Sequence, residues 1–295
     1  MSSNRKERFL ALARNEYAGL SEEGLQELAR KTLENGVHGL CFSPYVMGQQ
    51  PGDVLDKEAI RERLAPLVPF TKAIRSFSCT EGNEYIPELA KEMGLQTLVG
   101  SWLGPDLEKN EAEIEGLVAL AKAGFVDLAA VGNEVMYRGD LTENHLLEYI
   151  HRVKEAIPHI QVGYVDAYYE FTERPRITAA CDVIFANCYP FWEGCDHDYA
   201  LLYMKDMFRQ AQRVANGKKV IISETGWPSK GTSLEGAFPS FTNYLKYFVN
   251  TQKWSVEDEV EVYYFSAFDE AWKVGDEGDV GAHWGLWDMG GKLKF

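Results

Sequence analysis

The sequence lacks the cysteine and histidine patterns that disulfide frameworks and metal centres require. Its five cysteines are odd in number and none belongs to a Cys-x-x-Cys pair, so neither a disulfide framework nor a zinc site is indicated. The six histidines show no metal-ligand spacing, and the acidic segment 275–281 lacks the spacing of the known calcium loop. No Gly-x-Ser-x-Gly or phosphate-cradling motif occurs. We therefore expect free thiols and a chemistry that needs no metal and no cofactor.

A long apolar run is also missing from the N-terminus. Arg5, Lys6 and Arg8 precede only the apolar residues 9–13 before Arg14 interrupts them. That run is too short for the apolar region of an export signal. The sequence accordingly predicts a cytoplasmic protein with reduced thiols, or a periplasmic or secreted one if a leader has been removed.

The chain has few basic residues relative to its acidic ones. The chain has 30 basic against 45 acidic residues, a net charge of −15, which argues against nucleic acid and anionic membranes as partners and against membrane insertion. Its 295 residues, 45% of them apolar, suffice for one large α/β domain. Seven tryptophans and fifteen tyrosines supply flat faces on which sugar rings can stack.

Apolar and β-branched runs alternate with segments of helical periodicity. The strand-like runs are 37–44, 72–78, 95–100, 126–132, 160–166, 182–187, 219–224 and 260–268, and the helical segments are 57–68, 83–92, 107–123, 142–156, 198–215 and 235–252. This alternation predicts an α/β fold, a (β/α)8 TIM barrel over residues 37–295, with a truncated helix in the fifth connection. Residues 1–36 are predicted to form an N-terminal helical extension packed on the barrel, with Ser21 as helix cap and Gly36 as stop.

Two of the strand-like runs lead directly into a glutamate. Residues 129–133 end at Glu134, and residues 220–223 end at Glu224. Since the catalytic face of such a barrel is formed by the carboxyl ends of its strands, these two carboxylates are expected in one cleft. A pair of carboxylates in a cleft indicates cleavage of a glycosidic bond. Other polar and aromatic residues at or near strand ends are Tyr45, Ser78, Trp102, Asp166, Tyr189, Trp192, Trp227, Glu270 and Lys273.

Four motifs at these strand ends resemble those of glycoside hydrolase family seventeen, the β-1,3-glucanases and β-1,3-glucanosyltransferases. They are Val131-Gly132-Asn133-Glu134, Asn187-Cys188-Tyr189-Pro190-Phe191-Trp192, Ser223-Glu224-Thr225-Gly226-Trp227-Pro228-Ser229 and Phe268-Asp269-Glu270-Ala271-Trp272-Lys273. The resemblance implies a retaining enzyme acting on β-1,3-glucan, with Glu134 as acid/base and Glu224 as nucleophile. Residues 40–52 further resemble the bacterial branch of that family.

Further site residues follow from what this chemistry needs. Asn133 is a candidate to hold a sugar 2-hydroxyl, and Arg75 and Tyr189 are candidates to donate hydrogen bonds that stabilise the charged form of Glu224. We expect Trp227, Trp192 and Trp102 to stack on sugar rings, and Glu270 and Lys273 to bond sugar hydroxyls. Tyr45, Ser78 and Asp166 are also assigned to substrate binding. Phe42 and Phe77 stand where many relatives are expected to have tyrosines, so two hydroxyl contacts are predicted to be missing.

Three functional alternatives stay open at this point. Hydrolysis and transglycosylation differ in the acceptor, which the sequence does not reveal. Another retaining member of the same clan, acting on β-1,4 chains, also places Asn-Glu on strand four but is not expected to show the motifs around Tyr189 and Glu270. A catalytically silent glucan-binding protein is the third alternative, and the presence of both Glu134 and Glu224 argues against it.

Overall fold

The computed structural model of the chain describes Tyr17, residues 19–275 and residues 277–295. The charged N-terminal stretch with Arg5, Lys6 and Arg8, the first part of the predicted N-terminal extension, and Asp276 of the acidic segment lie outside the described residues.

Eight parallel strands close into a barrel in sequence order, with β8 paired to β1. The (β/α)8 fold predicted from the alternation of strand-like and helical segments is confirmed. The strands are β1 (Val37–Cys41), β2 (Thr71–Ser76), β3 (Gln96–Ser101), β4 (Leu128–Asn133), β5 (Gln161–Ala167), β6 (Val183–Asn187), β7 (Lys219–Thr225) and β8 (Val262–Tyr264). Almost every residue of these strands is buried, because helices cover the outer face of the barrel and side chains fill its interior.

The helices form the outer layer. They are α1 (Glu22–Glu34), α2 (Lys57–Leu64), α3 (Tyr85–Glu92), α4 (Leu107–Lys122), α5 (Val135–Arg138), α6 (Glu143–Ala156), α7 (Glu170–Glu173), α8 (Pro175–Ala180), α9 (His197–Val214) and α10 (Phe241–Glu257). Most of the longer helices begin at a side chain that accepts a backbone N–H of the first turn, as Ser21 does from Gly24. Helix α1 packs against α10 through a face that buries Leu25 and Leu33.

Several predicted bounds differ from the structure, and β1 ends at Cys41 rather than at residue 44. Strand β8 ends at Tyr264 and not at residue 268, because the chain beyond it pairs with the C-terminal segment: Ser266 exchanges backbone hydrogen bonds with residues 284 and 286. Helix α10 starts at Phe241, six residues later than predicted, since Ser240 caps it and Pro239 and Gly236 precede it. The fifth connection contains only the short helices α7 and α8, as predicted.

Irregular strand pairing is concentrated at the carboxyl ends of the strands. The register shifts between Ala130 and Asn133 on β4, and again where β6 pairs with β7 and β7 with β8. On β4 the shift coincides with Gly132, whose φ of +85° favours a residue without a side chain. Such bulges redirect the side chains that follow. They lie at the rim where the candidate carboxylates are found.

The buried apolar residues form two clusters. One joins β1, β2 and β8 to α1, α2, α3 and α10 and also contains residues of β3 to β7, and the other joins β4, β5 and β6 to α4, α6 and α9. All five cysteines are free thiols, and four of them are buried. Within the described part of the chain, no helix has both the length and the apolar character needed to cross a bilayer.

Candidate active site

A cleft of about 790 Å³ opens at the carboxyl end of the barrel. Its walls come from the loops that follow the strands, and both Glu134 and Glu224 line it. The cleft contains aromatic side chains on either side of the two carboxylates, among them Trp102, Tyr189 and Trp192. A deep groove with apolar walls and a few polar groups is the usual form of a small-molecule or saccharide site.

Glu134 sits in a strained turn between β4 and α5. Its φ of 50° and ψ of 31° place it in the left-handed region, which is uncommon for a residue with a side chain. The backbone N–H of Glu134 donates to Val165 O at 2.8 Å, and its carbonyl accepts from Arg138 N at 2.9 Å. Strain of this kind persists only where the surrounding structure fixes it, and it is concentrated at functional sites.

The environment of Glu134 favours its protonated form. Burial, followed by the negative charge of Glu224, raises the pKa of its carboxyl to about 7, against a hydrogen bond from Asn187 that lowers it. That bond joins Asn187 Nδ2 to Glu134 Oε1 at 2.8 Å. A carboxyl with this pKa can hold a proton near neutral pH and release it during a reaction.

Glu224 has the opposite environment, because donors surround its carboxylate. Arg75 Nη1 donates to Glu224 Oε1 at 2.5 Å, and Tyr189 Oη donates to Glu224 Oε2 at 2.7 Å. Burial lowers the pKa of Arg75, but Glu224 and Cys41 together outweigh that effect and the net shift is upward, so the guanidinium stays charged. Burial, followed by the charge of Glu224, raises the pKa of Tyr189 well above its usual value and keeps the phenol a donor.

Two chains of hydrogen bonds link each carboxylate to the residue that precedes the other one. Arg75 Nη2 donates to Asn133 Oδ1 at 2.7 Å, which commits the amide oxygen of Asn133 and leaves its nitrogen as the donating atom. On the other side, Ser223 Oγ donates to Asn187 Oδ1 at 2.8 Å and so orients the Asn187 amide toward Glu134. Asn133, next to Glu134, therefore orients Arg75, which bonds Glu224. Ser223, next to Glu224, orients Asn187, which bonds Glu134.

Several predicted sugar contacts line the cleft. Trp102 and Trp192 are 38% and 39% exposed, which leaves ring surface for a ligand, although the Arg138 guanidinium lies 4.7 Å from the centre of the Trp102 ring. Tyr45 is nearly buried and its hydroxyl accepts from Asn83, and Ser78 donates to Glu113. The predicted residues on the cleft wall are Tyr45, Ser78, Trp102, Asn133, Tyr189, Trp192, Glu270 and Lys273.

Glu270 and Lys273 form a charged group at one wall. Lys273 Nζ lies 3.4 Å from Glu270 Oε2, 3.4 Å from Glu277 Oε1 and 4.1 Å from the centre of the Phe265 ring. Burial lowers the pKa of Lys273, but these two carboxylates raise it on balance, so the ammonium stays charged. Glu270 Oε1 is buried and has no hydrogen-bond partner within the described part of the chain. A ligand hydroxyl is the group that such an acceptor requires.

Two predicted contacts are wrong. Trp227 is fully buried, packed on Phe191 and Tyr247 with its Nε1 donating to Phe238 O, and so presents no face on which a sugar can stack. Asp166 is also fully buried and lies outside the cleft lining, because its side chain accepts hydrogen bonds from Tyr164 Oη and from the backbone. Arg75 likewise lies beneath the cleft surface and reaches it only through Glu224 and Asn133.

Comparison with known proteins agrees with this geometry. The family profile described as the BtgE/BtgC glycoside hydrolase domain matches residues 39–285. The chain belongs to this family.

Relatives of this BtgE/BtgC domain include a glucan 1,3-beta-glucosidase of Arthroderma benhamiae, 31% identical over 226 residues, which covers 70% of the chain and 72% of the relative. A glucan 1,3-beta-glucosidase of Saccharomyces cerevisiae is 27% identical over 261 residues, 79% of the chain and 82% of the relative. Among solved structures, an active-site mutant of the Rhizomucor miehei beta-1,3-glucanosyltransferase in complex with laminaritriose aligns with a TM-score of 0.79 at 28% identity, over 88% of the chain and 96% of that structure.

The BtgE/BtgC domain also contains site residues that sequence reasoning did not assign. Asn187 bonds Glu134 directly, and it lies two residues before Tyr189, so the two-residue period of an extended chain places both on one face. The cleft residues not assigned also include Tyr137, Arg138, Tyr168, Tyr169 and Glu193. These follow strand ends without a recognisable motif. Within the residues that the structure describes, no group of three His, Cys, Asp or Glu side chains is placed to hold a metal ion.

Proposed function

We propose that this chain is a retaining enzyme acting on β-1,3-glucan, a hydrolase or transglycosylase, with Glu134 as acid/base and Glu224 as nucleophile. The observation that carries the proposal is the unlike surroundings of the two carboxyls. Burial and the charge of Glu224 favour the protonated form of Glu134, while Arg75 and Tyr189 both donate to Glu224. Two carboxyls that face one cleft in unlike surroundings, one with a raised pKa and one held by two hydrogen-bond donors, suit the two roles of the double-displacement mechanism.

In the first step, a Glu224 oxygen attacks the anomeric carbon and forms a glycosyl ester as the bond to the leaving oxygen breaks. Glu134 gives its proton to that oxygen. The amide nitrogen of Asn133 is the donor that the network leaves for the sugar 2-hydroxyl, a contact that strengthens in the oxocarbenium-like transition state.

In the second step, the acceptor hydroxyl loses its proton to Glu134 and attacks the anomeric carbon, which frees Glu224. Formation of the ester has by then removed the charge of Glu224, one of the causes that raise the pKa of Glu134. The pKa of Glu134 therefore falls in the intermediate, although burial still raises it. The carboxylate form of Glu134 then serves as the base. Two inversions at the anomeric carbon return the β configuration.

The substrate assignment rests on family membership and on the relatives, which are glucan 1,3-beta-glucosidases and a β-1,3-glucanosyltransferase crystallised with laminaritriose. The relatives reported above are fungal, so the resemblance of residues 40–52 to the bacterial branch stays a prediction. Transfer to a second glucan is favoured if the aromatic wall holds an acceptor against water at about 55 M, since good positioning reaches effective molarities of about 10⁵ M or more.

The test is a product analysis with laminarihexaose and cellohexaose at equal concentration. We expect cleavage of the β-1,3 chain, little of the β-1,4 chain, and initial release of the β anomer in proton NMR spectra. Products longer than the substrate at millimolar concentration identify transglycosylation, and their absence places the enzyme among the hydrolases. Faster cleavage of cellohexaose would overturn the linkage assignment, and initial release of the α anomer would overturn the retaining mechanism.

A further inference from the structure

A buried polar pair on β5 lies directly behind the turn that carries Glu134. Tyr164 is 1% exposed and Asp166 is fully buried, and the Tyr164 hydroxyl donates to Asp166 Oδ2. The backbone N–H of Ala167 donates to Asp166 Oδ1 at 2.8 Å. A carboxylate removed from water is unfavourable unless it is hydrogen-bonded. Asp166 does not line the cleft, so substrate binding does not account for its presence there.

The pair receives the N–H groups of that turn. Met136 N donates to Tyr164 Oη at 2.8 Å, and Tyr137 N donates to Asp166 Oδ2 at 3.3 Å. Together with the bond from Glu134 N to Val165 O, three consecutive residues of β5 accept from the segment between Glu134 and Tyr137. The N–H groups of a first helical turn have no partner within the helix, so these side chains replace the missing acceptors.

We propose that Asp166 and Tyr164 are positioning residues for Glu134: they hold the left-handed turn in place, with the Asp166 carboxylate as a buried group directly behind it. The inference deepens the proposed function and rests on the role of Glu134 as acid/base. A general acid must point its proton at the leaving oxygen, and a turn with φ of 50° requires external contacts to keep that direction.

The charged groups around Glu134 come from several elements. Glu224 of β7 and Asp166 of β5 both favour its protonated form, whereas Arg138 of α5 and the hydrogen bond from Asn187 of β6 oppose it. Burial and Glu224 are the larger causes, and Asp166 is a further one.

Asp166 itself faces Tyr164 on its own strand, the Tyr137 N–H of α5, and Glu170, Arg174 and Tyr169 near α7. Burial raises the pKa of Asp166 to about 6 against the hydrogen bond from Tyr164. Two donors, the Tyr164 hydroxyl and the Ala167 N–H, support the charged form of this carboxyl.

The experiment compares Asp166→Asn and Tyr164→Phe with wild type. Asp182→Asn is the matched control: Asp182 Oδ2 also accepts a β5 backbone N–H, from Val162 at 3.1 Å, but at the other end of that strand. The readouts are the pH profile of kcat/KM on laminari-oligosaccharides and the ratio of activities on an oligosaccharide and on an aryl β-glucoside with a good leaving group. The second substrate depends little on a general acid.

We expect the alkaline limb of the Asp166→Asn profile to move to lower pH by about half a unit or more, with KM nearly unchanged, because one negative charge near Glu134 is gone. In both variants kcat should fall more on the oligosaccharide than on the aryl glucoside. Asp182→Asn should keep the wild-type limb.

An Asp166→Asn protein that folds but keeps the wild-type alkaline limb would overturn the proposal, as would equal losses on the two substrates, which a merely structural role predicts. Should Asp166→Asn not fold, Tyr164→Phe decides in the same way by its two-substrate ratio, since it keeps the carboxylate while it removes the acceptor of the Met136 N–H and the donor to Asp166 Oδ2. A wild-type protein that does not cleave laminari-oligosaccharides at all would instead refute the proposed function.

Discussion

Removal of the Arg75 guanidinium should lower both the stability and the activity of the protein, mainly because its ion pair with Glu224 is lost. The Arg75 and Glu224 side chains are only 2% and 8% exposed and lie 2.5 Å apart. Arg75 also donates to Asn133 Oδ1 at 2.7 Å and stacks over Phe77 at 4.3 Å. Loss of one partner of a buried ion pair typically costs about 3–5 kcal/mol, because the other charge is left without compensation. We therefore expect Arg75→Met to lower the free energy of unfolding by that amount at pH 7.

A double-mutant cycle separates the ion pair from the other contacts of Arg75. In a Glu224→Gln background the uncompensated carboxylate is absent, so Arg75→Met should cost only about 1–2 kcal/mol for the lost Asn133 bond and packing. The coupling between the two substitutions is then about 2–3 kcal/mol. Urea unfolding followed by tryptophan fluorescence measures all four proteins. Turnover of Arg75→Met should fall about 10²-fold or more, since small displacements of a reacting group have effects of that size.

The matched control is an ion pair on the surface. Arg152 and Glu111 bond through both guanidinium nitrogens, but their side chains are 42% and 44% exposed. Arg152→Met should change stability by only about 0–1 kcal/mol. Equal costs of Arg75→Met in the wild-type and Glu224→Gln backgrounds would refute the reasoning, because they would show that Arg75 does not act through Glu224.

Three further predictions follow from the site. The pKa of Glu134 is about 7 in the folded protein, against an ordinary value of 4.5. The stability that its protonated form contributes is therefore fully present below pH 4.5 and is lost as the pH rises through 7. Thermal melts should therefore find Glu134→Gln more stable than wild type at pH 8, with a smaller advantage at pH 5; a constant difference would contradict the shift. Trp227→Ala should cost about 3–5 kcal/mol in urea unfolding because Trp227 is fully buried, whereas Trp192→Ala should leave stability nearly unchanged and raise KM for glucan; similar stabilities of the two variants would contradict this. Glu113 is fully buried and accepts from Trp102 N at 3.0 Å, so Glu113→Ala should lower the melting temperature and raise KM more than it lowers kcat; an unchanged KM would show that it does not position Trp102.

Sequence patterns located the two candidate carboxylates because a parallel barrel brings its strand ends to one face. Glu134 and Glu224 both line the cleft, 90 residues apart in the chain. The same rule failed for Asp166, since it gives the position of a backbone and not the direction of a side chain. Bulges on β4 and β7 shift that direction locally, and neither composition nor periodicity reports them.

Aromatic residues were the least predictable part of the site. Trp227 follows the nucleophile strand in a motif that resembles a family signature, yet it packs in the core. Trp284 contributes to the cleft wall, with its ring centre 5.5 Å from that of Trp192. A tryptophan can serve either purpose, and tertiary contacts between distant loops decide which. The bond from Asn187 to Glu134 was not predicted for a different reason. The motif at residues 187–192 had been explained by the role of Tyr189 alone.

The central claim is that Glu224 forms a covalent bond to the sugar while Glu134 handles the proton. The most direct measurement uses Glu134→Gln with an aryl β-glucoside of good leaving group, followed by mass spectrometry of the intact protein and its peptides. The first step should then proceed without the acid and the second should be slow without the base, so we expect a glycosyl adduct on the peptide that contains Glu224. An adduct on any other residue, or rapid turnover with no adduct and release of the α anomer, would contradict the account.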